Sequence, residues 1–135
     1  MQLGEFVVRE ACRQAAEWER QRVLPERFVT WVNLSGKQVS AGGVEALVER
    51  ELERAGVPPA RLGLEVTETA AIINVERAKQ LASRLRELGC SFALDDFGSG
   101  FASFYYLKHL EFDYLKIDGE FITDLPSNHA NQLVV

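Results

Sequence analysis

The stretch FALDDFGSGFASFYYL, residues 92–107, places two aspartates, Asp95 and Asp96, at the end of a short apolar run. The glycine-bearing turn Gly98-Ser99-Gly100 follows at once. Like charges side by side at the end of a buried strand repel and raise each other's pKa unless something positive lies between them. A divalent cation is the economical answer. Strand neighbours point to opposite faces, but the second can turn back as the chain enters a loop.

Outward from this point the chain alternates strand and helix. NVERAKQLASRLREL (74–88) sets Ala78, Leu81, Ala82 and Leu85 on one helical face, with Asn74 as its N-cap and Gly89 just past its end. RLGLEVTE (61–68) reads as a strand before it. Further upstream, Val44, Leu47, Val48, Leu52 and Ala55 form a helical face between the breaker Gly42-Gly43 and the stop at Gly56 with Pro58-Pro59. RFVTWVNLS (27–35) is rich in aromatic and β-branched residues and reads as a strand, and residues 5–20 read as a helix. Downstream, a short helix is expected at about 101–110, a fourth strand in DYLKIDGEF (113–121), and turn residues with a further helical start after it. Such alternation with short links means parallel strands joined by right-handed crossovers, hence an α/β fold. The repeat of about 30 residues fits one βα unit.

Composition narrows the classes. The 135 residues, 47% hydrophobic and 26% charged, are those of one globular domain or part of one. No apolar run approaches the roughly 20 residues of a membrane helix. The start MQLGEFVVRE lacks the features of a signal peptide, so a cytoplasmic location is expected. Cys12 and Cys90 lack metal-ligand spacing and read as buried reduced thiols. A net charge of -5 argues against DNA or RNA binding through a broad basic face, though not against a small phosphorylated ligand.

The polar residues near the strand ends are Asn33, Glu65, Asp95 with Asp96, and Lys116. Their spacings (33 to 65, 65 to 95, 95 to 116) are each close to one βα unit. In a parallel α/β fold all strand C-termini open on one face, where ligands bind, so these groups should converge. One amide and three carboxylates make an oxygen-only donor set, which suits Mg²⁺ or Mn²⁺ rather than zinc. Such carboxylates can hold two ions about 3.5–4 Å apart, as in phosphate-ester cleavage. Lys116 could orient the attacking water or neutralise a phosphate oxygen.

Duller readings stand beside these. Asn33 alone also reads as a turn or cap residue. Glu68 is either a surface charge or a brace for the Gly98–Gly100 turn. Lys116 alternates with Leu115 and Ile117 and could simply pair with Asp95 or Asp118. His109 and His129 are isolated, and Phe104, Tyr105 and Tyr106 read as core or contact surface. The DFG at 96–98 has neither an HRD-type catalytic loop before it nor an upstream glycine-rich phosphate loop, so a kinase is excluded. A receiver domain carries its acid pair on the first strand, whereas only 39 residues follow Asp96.

The segments LGEFVVREACRQAAEW, WVNLSGKQVS, LGLEVTETAAI and ALDDFGSGFASFYYLKHLEFDYLKIDGEFI together resemble the EAL-domain family, bacterial phosphodiesterases that hydrolyse cyclic di-GMP to linear pGpG. The resemblance runs over essentially the whole chain. It implies a modified TIM barrel with two Mg²⁺ or Mn²⁺ ions. It also implies Asn33, Glu65 and Asp95 as ligands of the first metal, and Asp95 with Asp96 as ligands of the second. Lys116 would position the catalytic water, Glu68 would hold the DDFGSG loop, and that loop would contribute to a homodimer. Asp118 is a candidate on the substrate side. Ser99 and Phe101 replace the commoner Thr and Tyr, and Glu111 a common Pro. The family's Glu-Ala-Leu strand would precede Met1, and later acidic strands would follow Val135. A TIM barrel takes about 200–250 residues, so residues 1–135 are expected to form a partial EAL domain, about half a barrel. Open sheet edges invite pairing, so a dimer, a fragment or a marginally stable chain is expected. The expected activity is cyclic di-GMP hydrolysis, impaired in this length of chain. The alternative is a non-catalytic cyclic di-GMP receptor or protein-interaction module.

Overall fold

The computed structural model describes residues 3–23, 25–98, 108–123 and 125–134. Helix α1 (Leu3–Gln21) leads to β1 (Thr30–Leu34), then α2 (Gly36–Ala41) and α3 (Val44–Ala55). A 3₁₀ turn at Pro59–Arg61 enters β2 (Leu62–Thr67), followed by α4 (Glu68–Ile73), α5 (Val75–Leu88) and β3 (Ser91–Phe97). After residues 98–113 come β4 (Tyr114–Ile117), α6 (Gly119–Thr123) and α7 (His129–Val134).

The strands form one parallel sheet in the order β1-β2-β3-β4. Each crossover steps the same way, so the sheet never reverses as a doubly wound fold does. The result is about half of a TIM-like barrel. Val32, Leu64 and Phe92 share one row, and Leu34, Val66 and Leu94 the next; all six are buried beneath helices. Helices α1, α4 and α5 lie against β1, β2 and β3. Strand alternation then turns Trp31, Asn33, Glu65, Ala93, Asp95 and Lys116 to the opposite face, the inside of the barrel.

Local chemistry explains most boundaries. Asn74 Oδ1 caps α5 through Arg77 N–H, and Gly56 and Gly89 close α3 and α5 in left-handed conformations. Two short helices escaped the sequence reading because they are single capped turns. Ser35 and Gln38 form a reciprocal capping box for α2, and Thr67 Oγ1 caps α4 through Ala70 N–H. The expected strand 113–121 stops at Ile117: Asp118 Oδ1 accepts the Glu120 N–H at 2.8 Å, and residues 119–123 turn into α6 instead. The helix expected at 101–110 falls mostly outside the described residues; Lys108 and His109 form a turn. Below the sheet, the Arg61 guanidinium donates to the carbonyls of Pro25 and Glu26 at 2.9 and 2.8 Å and pairs with Glu19, fixing the chain's approach to β1.

Both cysteines are free and buried, as their patterning implied. Burial pushes the Cys12 thiol up to about 11 and the Cys90 thiol to about 12, from an ordinary 9.0. Each group therefore contributes stability that is fully present below pH 9 and is lost as pH rises toward the folded values. We expect both thiols to resist iodoacetamide at pH 8 in the folded protein and to react fully in denaturant. Mass spectrometry of the two samples checks this.

Candidate active site at the strand C-termini

The register lines up Asn33, Glu65, Ala93 and Tyr114 in one cross-strand row. Lys116 lies two residues beyond Tyr114 on the same face of β4. Its Nζ stands 2.9 Å from Glu65 Oε2 and 2.9 Å from Asp95 Oδ2. Three adjacent strands thus deliver an ammonium and two carboxylates to one point. Glu65 is only 7% exposed, a depth at which an unpaired carboxylate would be costly. The Lys116 pKa is raised, first by its hydrogen bond to Asp95 and then by that to Glu65, so the lysine is fully charged at neutral pH. Of the two simple partners considered for it, the structure supplies Asp95. Asp118 instead caps α6.

The paired aspartates owe their placement to a break in the ladder. Ala93 pairs with Tyr114 and Leu94 with Leu115, but the next pair is Phe97 with Ile117. Asp95 and Asp96 therefore both lie opposite Lys116, where a regular strand would place one residue. This is a β-bulge, the device by which strands re-aim side chains beside functional sites. The extra residue, Asp96, has φ 54°, a left-handed conformation that Asp tolerates better than most side chains. Asp95 Oδ1 accepts the Asp96 N–H at 3.0 Å and supports the turn. Asp96 is exposed, Asp95 partly so.

Glu68, the first residue of α4, resolves as a brace rather than a surface charge. It is 2% exposed, and its Oε2 accepts the Gly98 N–H at 2.8 Å. Gly98 has φ 101°, so this bond secures a backbone conformation open to glycine. The helix N-terminus favours the carboxylate there.

Two aromatic residues that sequence reasoning passed over lie beside the carboxylates: Tyr114 in the Glu65 row, and Trp31 two residues before Asn33. Trp31 and Tyr114 meet edge to face at 5.4 Å. The indole lies over Gly63, where an added Cβ would come within 2.5 Å of the ring. Each is two residues before a candidate site residue, Asn33 and Lys116, and that spacing was the available signal. With Glu65, Ala93 and Lys116 they line a concavity of about 400 Å³ on the inner face.

Among the described residues, no three carboxylate, histidine or cysteine groups stand close enough together to hold an ion by themselves. Asn33 is exposed beside Glu65 in the row, and Asp96 follows Asp95 across the bulge. The donor chemistry nonetheless fits a hard cation. All candidate donors are oxygens, and a positive group already sits between Glu65 and Asp95.

A half-barrel of sequentially ordered parallel strands with acidic groups gathered at its C-terminal rim defines a TIM-barrel-type ligand site. The chain belongs to the EAL-domain family: the EAL domain profile matches residues 1–135. Cyclic di-GMP phosphodiesterase PdeB of Shewanella oneidensis is 43% identical over 104 residues, which cover 77% of this chain and 12% of that protein. Cyclic di-GMP phosphodiesterase NbdA of Pseudomonas aeruginosa is 39% identical over 135 residues, covering 96% of this chain and 16% of its own length. The solved PaMucR phosphodiesterase in complex with c-di-GMP superposes with a TM-score of 0.84 at 34% identity, over 98% of this chain and 53% of that one. The chain therefore spans a small part of these curated relatives and about half of the solved domain chain.

Removing the brace should loosen the acid pair. Glu68→Ala strands the Gly98 N–H and opens a buried space, so we expect a loss of about 1–3 kcal/mol in stability, read by denaturant unfolding. Glu68→Gln, which keeps an oxygen acceptor, should lose less.

Proposed function

We propose that residues 1–135 form part of an EAL domain and contribute one side of a cyclic di-GMP phosphodiesterase site. The observation that carries this reading is the convergence of Glu65, Asp95 and Lys116 from three strands onto one point at the barrel rim. Identity to two cyclic di-GMP phosphodiesterases and the match to a c-di-GMP-bound domain support cyclic di-GMP as the substrate. Because the chain spans 53% of the PaMucR chain, a complete site would also draw on the remainder of the barrel.

Asn33, Glu65, Asp95 and Asp96 would hold Mg²⁺ or Mn²⁺. When bound, such ions activate water and offset charge on a phosphodiester in flight. Lys116, fixed between two carboxylates, would hold and orient a water or phosphate oxygen with a full positive charge. Asp118, which precedes α6 and accepts the Glu120 N–H, would stand on the substrate side. Glu68 keeps the turn after Asp96 in place. A homodimer and a cytoplasmic location belong to the same reading. Exposed Leu3, Phe6 and Val7 on α1, with Leu115 on edge strand β4 and Ile122 on α6, support association. No helix among the described residues is long and apolar enough to cross a membrane.

One observation favours a second reading. Lys116 already occupies one oxygen of Glu65 and one of Asp95, which suits a site that binds the dinucleotide without cleaving it. Chromatography of cyclic di-GMP incubated with Mn²⁺ separates the two. The phosphodiesterase reading expects linear product, reduced by 100-fold or more in Asp95→Asn, beyond the 10–100-fold that loss of a supporting partner costs. Calorimetric binding with no product from the unaltered protein would establish the receptor instead. Undiminished turnover in Asp95→Asn would remove Asp95 from the site.

A further inference from the structure

β4 poses a mechanical problem. It is four residues long, it lies at the sheet edge, and Tyr114 and Leu115 leave it exposed on both faces, at 53% and 36%. Its ladder with β3 is interrupted opposite Lys116. A one-residue slip would turn every β4 side chain to the other face and take Lys116 away from Glu65 and Asp95. Little burial resists such a slip.

We propose that Asp113 is a positioning residue of this site, locking β4 in the register that delivers Lys116 to Glu65 and Asp95. Asp113 immediately precedes β4 and makes two bonds to one residue of β3. The Phe92 N–H donates to Asp113 Oδ2 at 2.8 Å, and the Asp113 N–H donates to the Phe92 carbonyl at 2.8 Å. Phe92 is 1% exposed, so its N–H needs a protein acceptor. The carboxylate supplies one where the β4 ladder has not yet begun. From this clamp the two strands run in step. Ala93 meets Tyr114, Leu94 meets Leu115, and the next residues are Asp95 and Lys116. The extra residue, Asp96, enters only after that point, and the Asp118 N–H re-establishes pairing with the Phe97 carbonyl at 3.0 Å. Asp113 thus acts through the strand. Its effect on turnover rests on the phosphodiesterase reading, but its effect on geometry does not.

The test measures the two separately. In the unaltered protein at mildly acidic pH, where ammonium protons exchange more slowly, the Lys116 ammonium held by two carboxylates should give a resolved side-chain signal in ¹⁵N NMR. Asp113→Ala should abolish that signal and lower cyclic di-GMP turnover by about 10–100-fold, while the melting curve still reports a folded protein. Asp113→Asn, which keeps an oxygen acceptor, should restore both. If Asp113→Ala does not fold, Asp113→Glu replaces it: the added methylene misplaces the acceptor, and the same loss of signal is expected. A Lys116 signal unchanged in Asp113→Ala, or in Asp113→Glu where that variant is used, would overturn the inference. So would its loss in Asp113→Asn, which would make charge rather than the hydrogen bond responsible. Should the unaltered protein show no turnover while Asp113→Ala still abolishes the signal, the register lock stands and the phosphodiesterase reading falls.

Discussion

One ammonium held by two carboxylates organises the open face of this sheet. Glu65 and Asp95 come from separate strands and would repel across the buried rim; Lys116, from a third strand, sits 2.9 Å from an oxygen of each. Everything nearby can be understood as what that meeting requires. The sequential parallel sheet brings the three strand ends together. The bulge places Asp96 beside Asp95. The edge-to-face pair of Trp31 and Tyr114 packs beside it, and Gly63 must stay small for the indole to lie there.

The same geometry bears on the proposed cation site, because the oxygens it would use are already engaged by a lysine. A lysine between two acids holds them close, and the half-exposed ammonium leaves that attraction screened by water. A divalent ion entering there would compete with the ammonium for the same oxygens. The two proposed readings differ at this point: hydrolysis would need the ion to displace the ammonium from these oxygens, whereas binding alone would not.

The barrel units were legible in the sequence because their signals are strong and local. The 3.6-residue face of residues 75–88, its Asn74 cap and its Gly89 stop gave that helix to within a residue. The spacing of Glu65, Asp95 and Lys116 was enough to forecast that these three strand ends meet, since parallel strands share one open end. Glu68 stayed ambiguous because burial is a tertiary property; no local pattern separates a buried brace from an exposed charge. The bulge could be glimpsed only as an oddity, two acids in a row, because its cause is the pairing with β4. Asp113 was invisible for the same reason, as its partner Phe92 lies 21 residues away. The end of β4 was overrun because Asp118 and Gly119 form a capped turn within an apolar stretch that otherwise continues the strand pattern.

The account stands on the strand ends acting together as one oxygen-lined cation site. Titrating Mn²⁺ into the ¹⁵N-labelled protein and following paramagnetic broadening of the backbone signals tests this most directly. Saturable broadening that begins at Asn33, Glu65, Asp95 and Asp96 and spares the helical layer is the predicted result. Broadening centred elsewhere, or rising without saturation across the acidic surface, would contradict it.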